Sequence, residues 1–268
     1  MRRATLLCLL AFLLTPWATV RAEEPPTPAV APASPPAVAP APVPESRKGE
    51  WKANAGLSAI INSGNSSNKT LGGNGLTSYK WERNKVEFAA NGAYGRAEVK
   101  GVSTTNTKNG KTSLRYDRFL TDPLSLFALG HLGSDPPAGF DLRYGSSLGL
   151  AHELVKSDPH FFKYELGFDY THERRVAPPN QDIYSARTFL QYKYNINKLS
   201  VIGQDVETLF DLQEGKNVRI NTLTALTFKM TDVLAFQAGY AIRFDNVPVP
   251  GFKKTDTTTQ FGLVMNLL

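Results

Sequence analysis

The chain has 268 residues, with 30 lysines and arginines against 24 aspartates and glutamates, and one cysteine. That is room for one sizeable domain or two small ones. The net charge of +6 is too weak to argue for a nucleic-acid partner, and there is no apolar run long enough to form a transmembrane helix.

Residues 1–22 read as an export signal. Arg2 and Arg3 precede the apolar stretch 6–14, and Val20 and Ala22 are small residues where a signal peptidase would cut. The stretch is too short to span a bilayer. Cys8 lies inside it, so the exported chain is expected to carry no cysteine and no disulfide. Loss of Arg2, Arg3 and Arg21, with no acid alongside them, halves the charge excess. Residues 23–48 form a Pro/Ala-rich linker holding nine of the 18 prolines and no aromatic residue. Such a segment cannot build a core and is expected to be an extended spacer in the periplasm, with a partner the sequence does not name.

From residue 49 to 268 the pattern changes. Segments near 51–62, 69–81, 84–97, 107–119, 124–134, 140–154, 160–174, 182–195, 197–211, 216–230, 232–246 and 255–268 alternate with a period of two. In "HFFKYELGFDYTHERR" the residues Phe162, Tyr164, Leu166, Phe168 and Tyr170 form one side. Lys163, Glu165, Gly167, Asp169 and Thr171 form the other. Phe189 breaks the polar side of its segment. The connections alternate between tight turns rich in Asp, Asn and Pro, such as 82–84, 121–123 and 195–197, and longer polar links, such as 62–69, 98–107 and 246–255.

Short turns at one end and long loops at the other are the mark of an up-and-down outer-membrane barrel. The fold class expected is all-β: a closed antiparallel transmembrane β-barrel of about 12 strands, with short turns and both termini facing the periplasm. A soluble sandwich would bury its apolar side beneath a fully charged exterior. Here the apolar side carries aromatics near both ends. Phe162, Tyr192, Tyr194, Phe228 and Trp81 fall at the periplasmic level, and Tyr170, Tyr184 and Phe244 at the outer level, as two membrane–water interfaces require. An open sheet in lipid would leave edge N–H groups unsatisfied, so the barrel has to close.

The phrases "WKANAGLSAIINSGNSSNKTL", "LTSYKWERNKVEFAANGAYG", "SLRYDRFLTDPLSLFALGHLGSD", "AGFDLRYGSSLGLAHEL" and "YELGFDYTHERR" together resemble the salt-induced outer-membrane protein family, a domain-of-unknown-function family of Gram-negative bacteria. The resemblance runs from Trp51 to Leu268. It implies an outer-membrane barrel and no reaction. Outer-membrane lipid and the barrel-assembly machinery are then the implied partners. The chain ends "FGLVMNLL", without the terminal aromatic usual in such barrels.

Little catalytic chemistry is legible. His131, His152, His160 and His172 fall in different segments and show no metal-ligand spacing. The glycines at 72–75 precede no helix and make no phosphate loop. No enzyme activity, cofactor or nucleic acid is expected. The inward register carries charge of both signs: Glu87, Arg115, Asp117, Asp141, Arg143, Lys163, Glu165, Asp169, Arg187, Lys193, Asp205, Glu207, Arg219, Lys229 and Arg243. The candidate lumen charges are Arg143, Lys163, Glu165, Asp169, Arg187, Asp205, Glu207, Arg219 and Arg243. Mixed signs favour salt-bridge layers over a like-sign ion filter, and 12 strands lie between the filled 8-stranded and the open 16-stranded barrel. A narrow channel for small solutes or ions and a plugged structural barrel both remain open, with a membrane-embedded hydrolase a distant third. An arginine at Leu166 is expected to cost about 2–4 kcal/mol, and one at Glu165, within reach of acids such as Asp205 or Glu207, far less.

Overall fold

A computed structural model describes residues 49–62, 66–99 and 102–267. The signal expected at 1–22 and the linker expected at 23–48 lie outside the described residues. Twelve strands follow one another: β1 (Glu50–Asn62), β2 (Ser66–Trp81), β3 (Asn84–Val99), β4 (Val102–Phe119), β5 (Leu124–Asp135) and β6 (Phe140–Ser157). Then come β7 (His160–Arg175), β8 (Gln181–Asn197), β9 (Ser200–Asp211), β10 (Val218–Lys229), β11 (Leu234–Asp245) and β12 (Thr255–Asn266). Each strand pairs antiparallel with the next, and β1 closes on β12 from Asn54↔Asn266 to Ser58↔Gly262.

Followed around the ring through the paired residues, the hydrogen-bonding path returns to β1 about 16 residues from its start. For 12 strands that shear corresponds to a tilt of about 45° and a backbone radius of about 12 Å. A bore of that size can be filled by long side chains but not by aliphatic ones.

The period-two reading carries over into two faces. Leu57, Leu114, Leu148, Leu166 and Phe261 each expose more than half their surface outward, whereas Glu165, Ser185 and Gln191 expose none. Phe189, the break in the polar side, is buried inside. At the short-turn end the outer face carries a ladder of Trp51, Tyr79 and Trp81, with ring centroids 4.7 and 5.4 Å apart. At the loop end Tyr170 lies 5.1 Å from Tyr184, and Tyr144 lies 5.0 Å from His172. The Asp182 carboxylate accepts the Tyr170 hydroxyl at 2.8 Å and sits 2.7 Å from His172 Nδ1.

The tight turns are held by their own side chains. Asn197 Oδ1 accepts the Leu199 N–H, Thr121 Oγ1 accepts that of Leu124, and Thr231 Oγ1 accepts those of Val233 and Leu234. In the last of these turns, Lys229 bonds Asp232 at 2.7 Å and holds its carboxyl below the usual range.

Several boundaries differ from the sequence pattern. The long link expected at 98–107 is a continuation of the wall, with β3 and β4 paired as far as Val99↔Val102. Thr and Val, which recur in this stretch, are strand formers. In the same way β1 and β2 pair up to Asn62↔Asn68. β8 continues to Asn197, so the turn expected at 195–197 falls at 198–199. Asp141, placed on the inward register, lies at the irregularity between Phe140 and Leu142 and is exposed.

At the loop end the β5–β6 and β11–β12 connections sit half a turn of the barrel apart, yet they touch. Gly139 has φ 98°, and a Cβ there would stand 3.1 Å from Val249 and 3.3 Å from Phe252. Val249 is buried by this contact. Beneath it Arg243 on β11 meets Asp135 on β5 at 3.1 Å. Those side chains cannot bridge a circular section roughly 24 Å wide. The mouth is therefore pinched, helped by the bulge that bends β5 between Gly133 and Asp135.

Candidate functional site: a charged layer across the bore

The interior is best built from the wall inward. On β6 the inward positions Gly149 and Ala151 carry almost no side chain. Gly149 is paired with Gly167 on β7. A Cβ on Gly149 would stand 2.2 Å from the Leu166 carbonyl oxygen and 2.9 Å from the Phe127 ring. The Phe127 ring therefore covers the bare backbone of β6, and with Leu129 and Ala151 forms an apolar floor inside the barrel.

Over that floor long side chains cross. Arg115 on β4 donates two bonds to Asp117, at 2.7 and 2.8 Å, and reaches past β5 and β6 to Glu165 on β7 at 2.9 Å. Glu165 also receives Lys163 at 2.9 Å and Arg187 at 2.8 Å. Arg187 continues to Glu207 at 2.8 Å, and Glu207 accepts Asn221 at 3.0 Å. Asp117, Arg115, Glu165, Arg187 and Glu207 thus form one string of alternating sign from β4 to β9. The Arg115 guanidinium lies 4.5 Å from the Phe127 centroid, and Arg187 lies 5.4 Å from that of Phe189.

Two cavities flank this layer. The larger, about 170 Å³, opens toward the loops and reaches down to Leu129 and Glu207. The smaller, about 30 Å³, opens toward the short turns and reaches up to Arg115, Lys163 and Gln191. Near the short turns Lys85 bonds Glu87 at 2.6 Å and Gln191 bonds Asp205 at 3.0 Å.

The candidate lumen charges thus fall at three depths. Lys163, Glu165, Arg187 and Glu207 make the central layer, and Asp205 lies below it. Arg143, Asp169, Arg219 and Arg243 lie above it, around the larger cavity. Asp169 is held by the hydroxyls of Ser147 and Thr171 at 2.6 and 2.7 Å. The surroundings of Glu165 speak against a cheap arginine there. Its carboxylate is fully buried among three cations, which a fourth cation in its place would repel. Pattern reading also passed over Phe127 and Leu129. Their segment "LSLFALGH" is apolar on both faces, so its period carries no inside–outside signal.

The opposite wall differs. Ser58, Gly72, Asn74, Asn91, Gln260 and Gly262 all point inward from β1, β2, β3 and β12, are small or uncharged, and keep partial exposure. At the depth of the central layer the charges run from β4 to β9, and the partly exposed neutral positions lie on the strands opposite.

A family model covers residues 55–267, nearly the whole of this wall. The chain belongs to the family described as protein of unknown function DUF481. No curated protein matches the sequence. Among solved structures, family membership is accompanied by similarity to other closed barrels at low identity. A NanC porin aligns with TM-score 0.49 and 11% identity, over 81% of this chain and 100% of that one. A KdgM porin aligns with TM-score 0.43 and 11% identity, over 82% and 100%. An anion-selective porin from Comamonas acidovorans aligns with TM-score 0.34 and 9% identity, over 82% and 98%. The family description names no salt response and no cargo.

Proposed function

We propose that this DUF481 protein is an outer-membrane barrel of a Gram-negative bacterium, with a narrow, off-centre channel for small solutes or ions. An apolar outer belt flanked by aromatics supports lipid as the surrounding medium, because an exposed patch of that extent is costly in water. In this placement the short turns and the Pro/Ala linker lie on the periplasmic side, and biogenesis runs through the barrel-assembly machinery. One observation carries the channel reading: beside the charge layer, partial exposure inside the barrel is concentrated on the neutral stretch of β12, β1, β2 and β3 formed by Ser58, Gly72, Asn74, Asn91, Gln260 and Gly262. Because the layer compensates itself, selectivity between anions and cations is weak. The resemblance to salt-induced barrels adds an expectation that expression rises with external salt.

Planar-bilayer recording of the purified protein is the test. Small steps with weak selectivity are expected, and Asn74→Trp on the open wall should at least halve them. Steps as large as those of general porins would overturn the constriction. Absence of steps from folded protein would overturn the channel and leave a structural barrel, a reading the fully buried Glu165, Ser185 and Gln191 favour. Recovery from the soluble periplasmic fraction, without heat-modifiable gel mobility, would overturn the membrane placement itself.

A further inference from the structure

Glu173, near the loop end of β7, is surrounded by three arginines. Arg143 Nη2 donates to its Oε1 at 2.7 Å and Arg219 Nη1 to the same oxygen at 3.2 Å. Arg175 Nε donates to Oε2 at 3.1 Å, and Arg175 also bonds Gln181. One carboxylate thus meets three guanidiniums directly and cannot accept from every donor they carry. Two of those guanidiniums are drawn together over a single oxygen, where they repel each other.

The neighbouring acids are engaged elsewhere. Asp169 accepts from Ser147 and Thr171, Asp135 accepts from Arg243, and Asp245, opposite Arg219 in the strand register, accepts the Val247 N–H. Arg219 is more than nine-tenths buried, yet its Nη2 donates to no protein acceptor, and neither does Arg143 Nε. A buried guanidinium donor without an acceptor is costly, and native structures seldom keep one without a reason. Both arginines line the loop-end cavity, whose volume of about 170 Å³ exceeds that of a few water molecules.

We propose that Arg219 and Arg143 form an oxyanion-binding site in the loop-end cavity, suited to a small carboxylate or phosphate. Arg219 Nη2 and Arg143 Nε each bring to the cavity a charged donor without a protein acceptor, and a small oxyanion offers an oxygen to each. The site is reached from the loop end and does not depend on conduction through the central layer.

Calorimetry of the full chain refolded in detergent, at low ionic strength, tests this with inorganic phosphate and with acetate. Saturable binding of at least one of them is expected, and the preferred anion names the class. Arg219→Gln should weaken it at least ten-fold, and Arg219→Lys, which keeps the charge and loses the fork, by less. Lys229→Gln at the short-turn end should leave it unchanged. Heat-modifiable mobility confirms that each variant has folded. No saturable binding to the unaltered protein, or equal binding by folded Arg219→Gln, would overturn the site. Binding without conductance would overturn the channel reading alone.

Discussion

Replacing Glu165 by glutamine keeps the volume and removes the charge at the centre of the bore. Its carboxylate is fully buried and accepts Arg115, Lys163 and Arg187 at 2.8–2.9 Å. Arg115 keeps Asp117 and Arg187 keeps Glu207, so each retains one bonded anion, while Lys163 exchanges its carboxylate for a neutral amide oxygen. Breaking one partner out of a buried ion cluster typically costs about 3–5 kcal/mol, because the charges left behind are uncompensated. Leu166→Arg, one residue away on the lipid face, should cost about 2–4 kcal/mol near the membrane midplane. Urea titration of the protein refolded into vesicles, followed by the heat-modifiable gel shift, reads both. The expected order places Glu165→Gln at least as costly as Leu166→Arg, and Glu165→Arg worse than either. A glutamine costing less than about 1 kcal/mol, the value of one ordinary hydrogen bond, would refute the dry, paired layer and point to a hydrated lumen.

Gly149→Val should destabilise the barrel by about 1–3 kcal/mol in the same titration, since the new side chain meets the Leu166 carbonyl and the Phe127 ring. Phe127→Ala removes the apolar floor beneath Arg115, and larger single-channel steps in a planar bilayer are expected. Asp135→Asn with Arg243→Gln should show a coupling of about 0.5–3 kcal/mol in a double-mutant cycle. Independent effects there would mean that the pair does not hold the pinched mouth.

The two faces of the wall were legible because a strand has a period of exactly two residues. Leu166 and Glu165 could be assigned from their neighbours alone, and so could the turns with Asp, Asn and Pro. What was not legible depends on geometry across the ring. Arg115 and Glu165 are 50 positions apart and three strands apart, and only the shear of the barrel sets them at one depth. Phe127 and Leu129 were hidden because their strand is apolar on both faces. The stretch around 98–107 looked like a loop because the polarity that marks a loop also marks a strand that extends beyond the apolar belt. The gathering of arginines on Glu173 was equally invisible, since Arg143, Arg175 and Arg219 come from three strands and the pattern gives only their face.

The side on which the charges sit follows from side-chain size. On β6 the bare backbone at Gly149 and Ala151 leaves a trough, and the Phe127 ring from β5 fills only its bottom. Arg115 can cross that trough because nothing tall stands between β4 and β7, and its crossing gives Glu165 a second guanidinium beside that of Arg187 on the adjacent β8. Once Glu165 is ionised and held, Arg187 and Glu207 extend the same alternation along β8 and β9. On the far wall Gly72, Asn74, Gln260 and Gly262 offer neither a long cation nor an acid, so the string has no means of closing into a ring. A ring would have sealed the bore at this depth. A half-ring anchored to one wall leaves the other lined by small neutral groups, and that asymmetry gives the proposed channel its off-centre path.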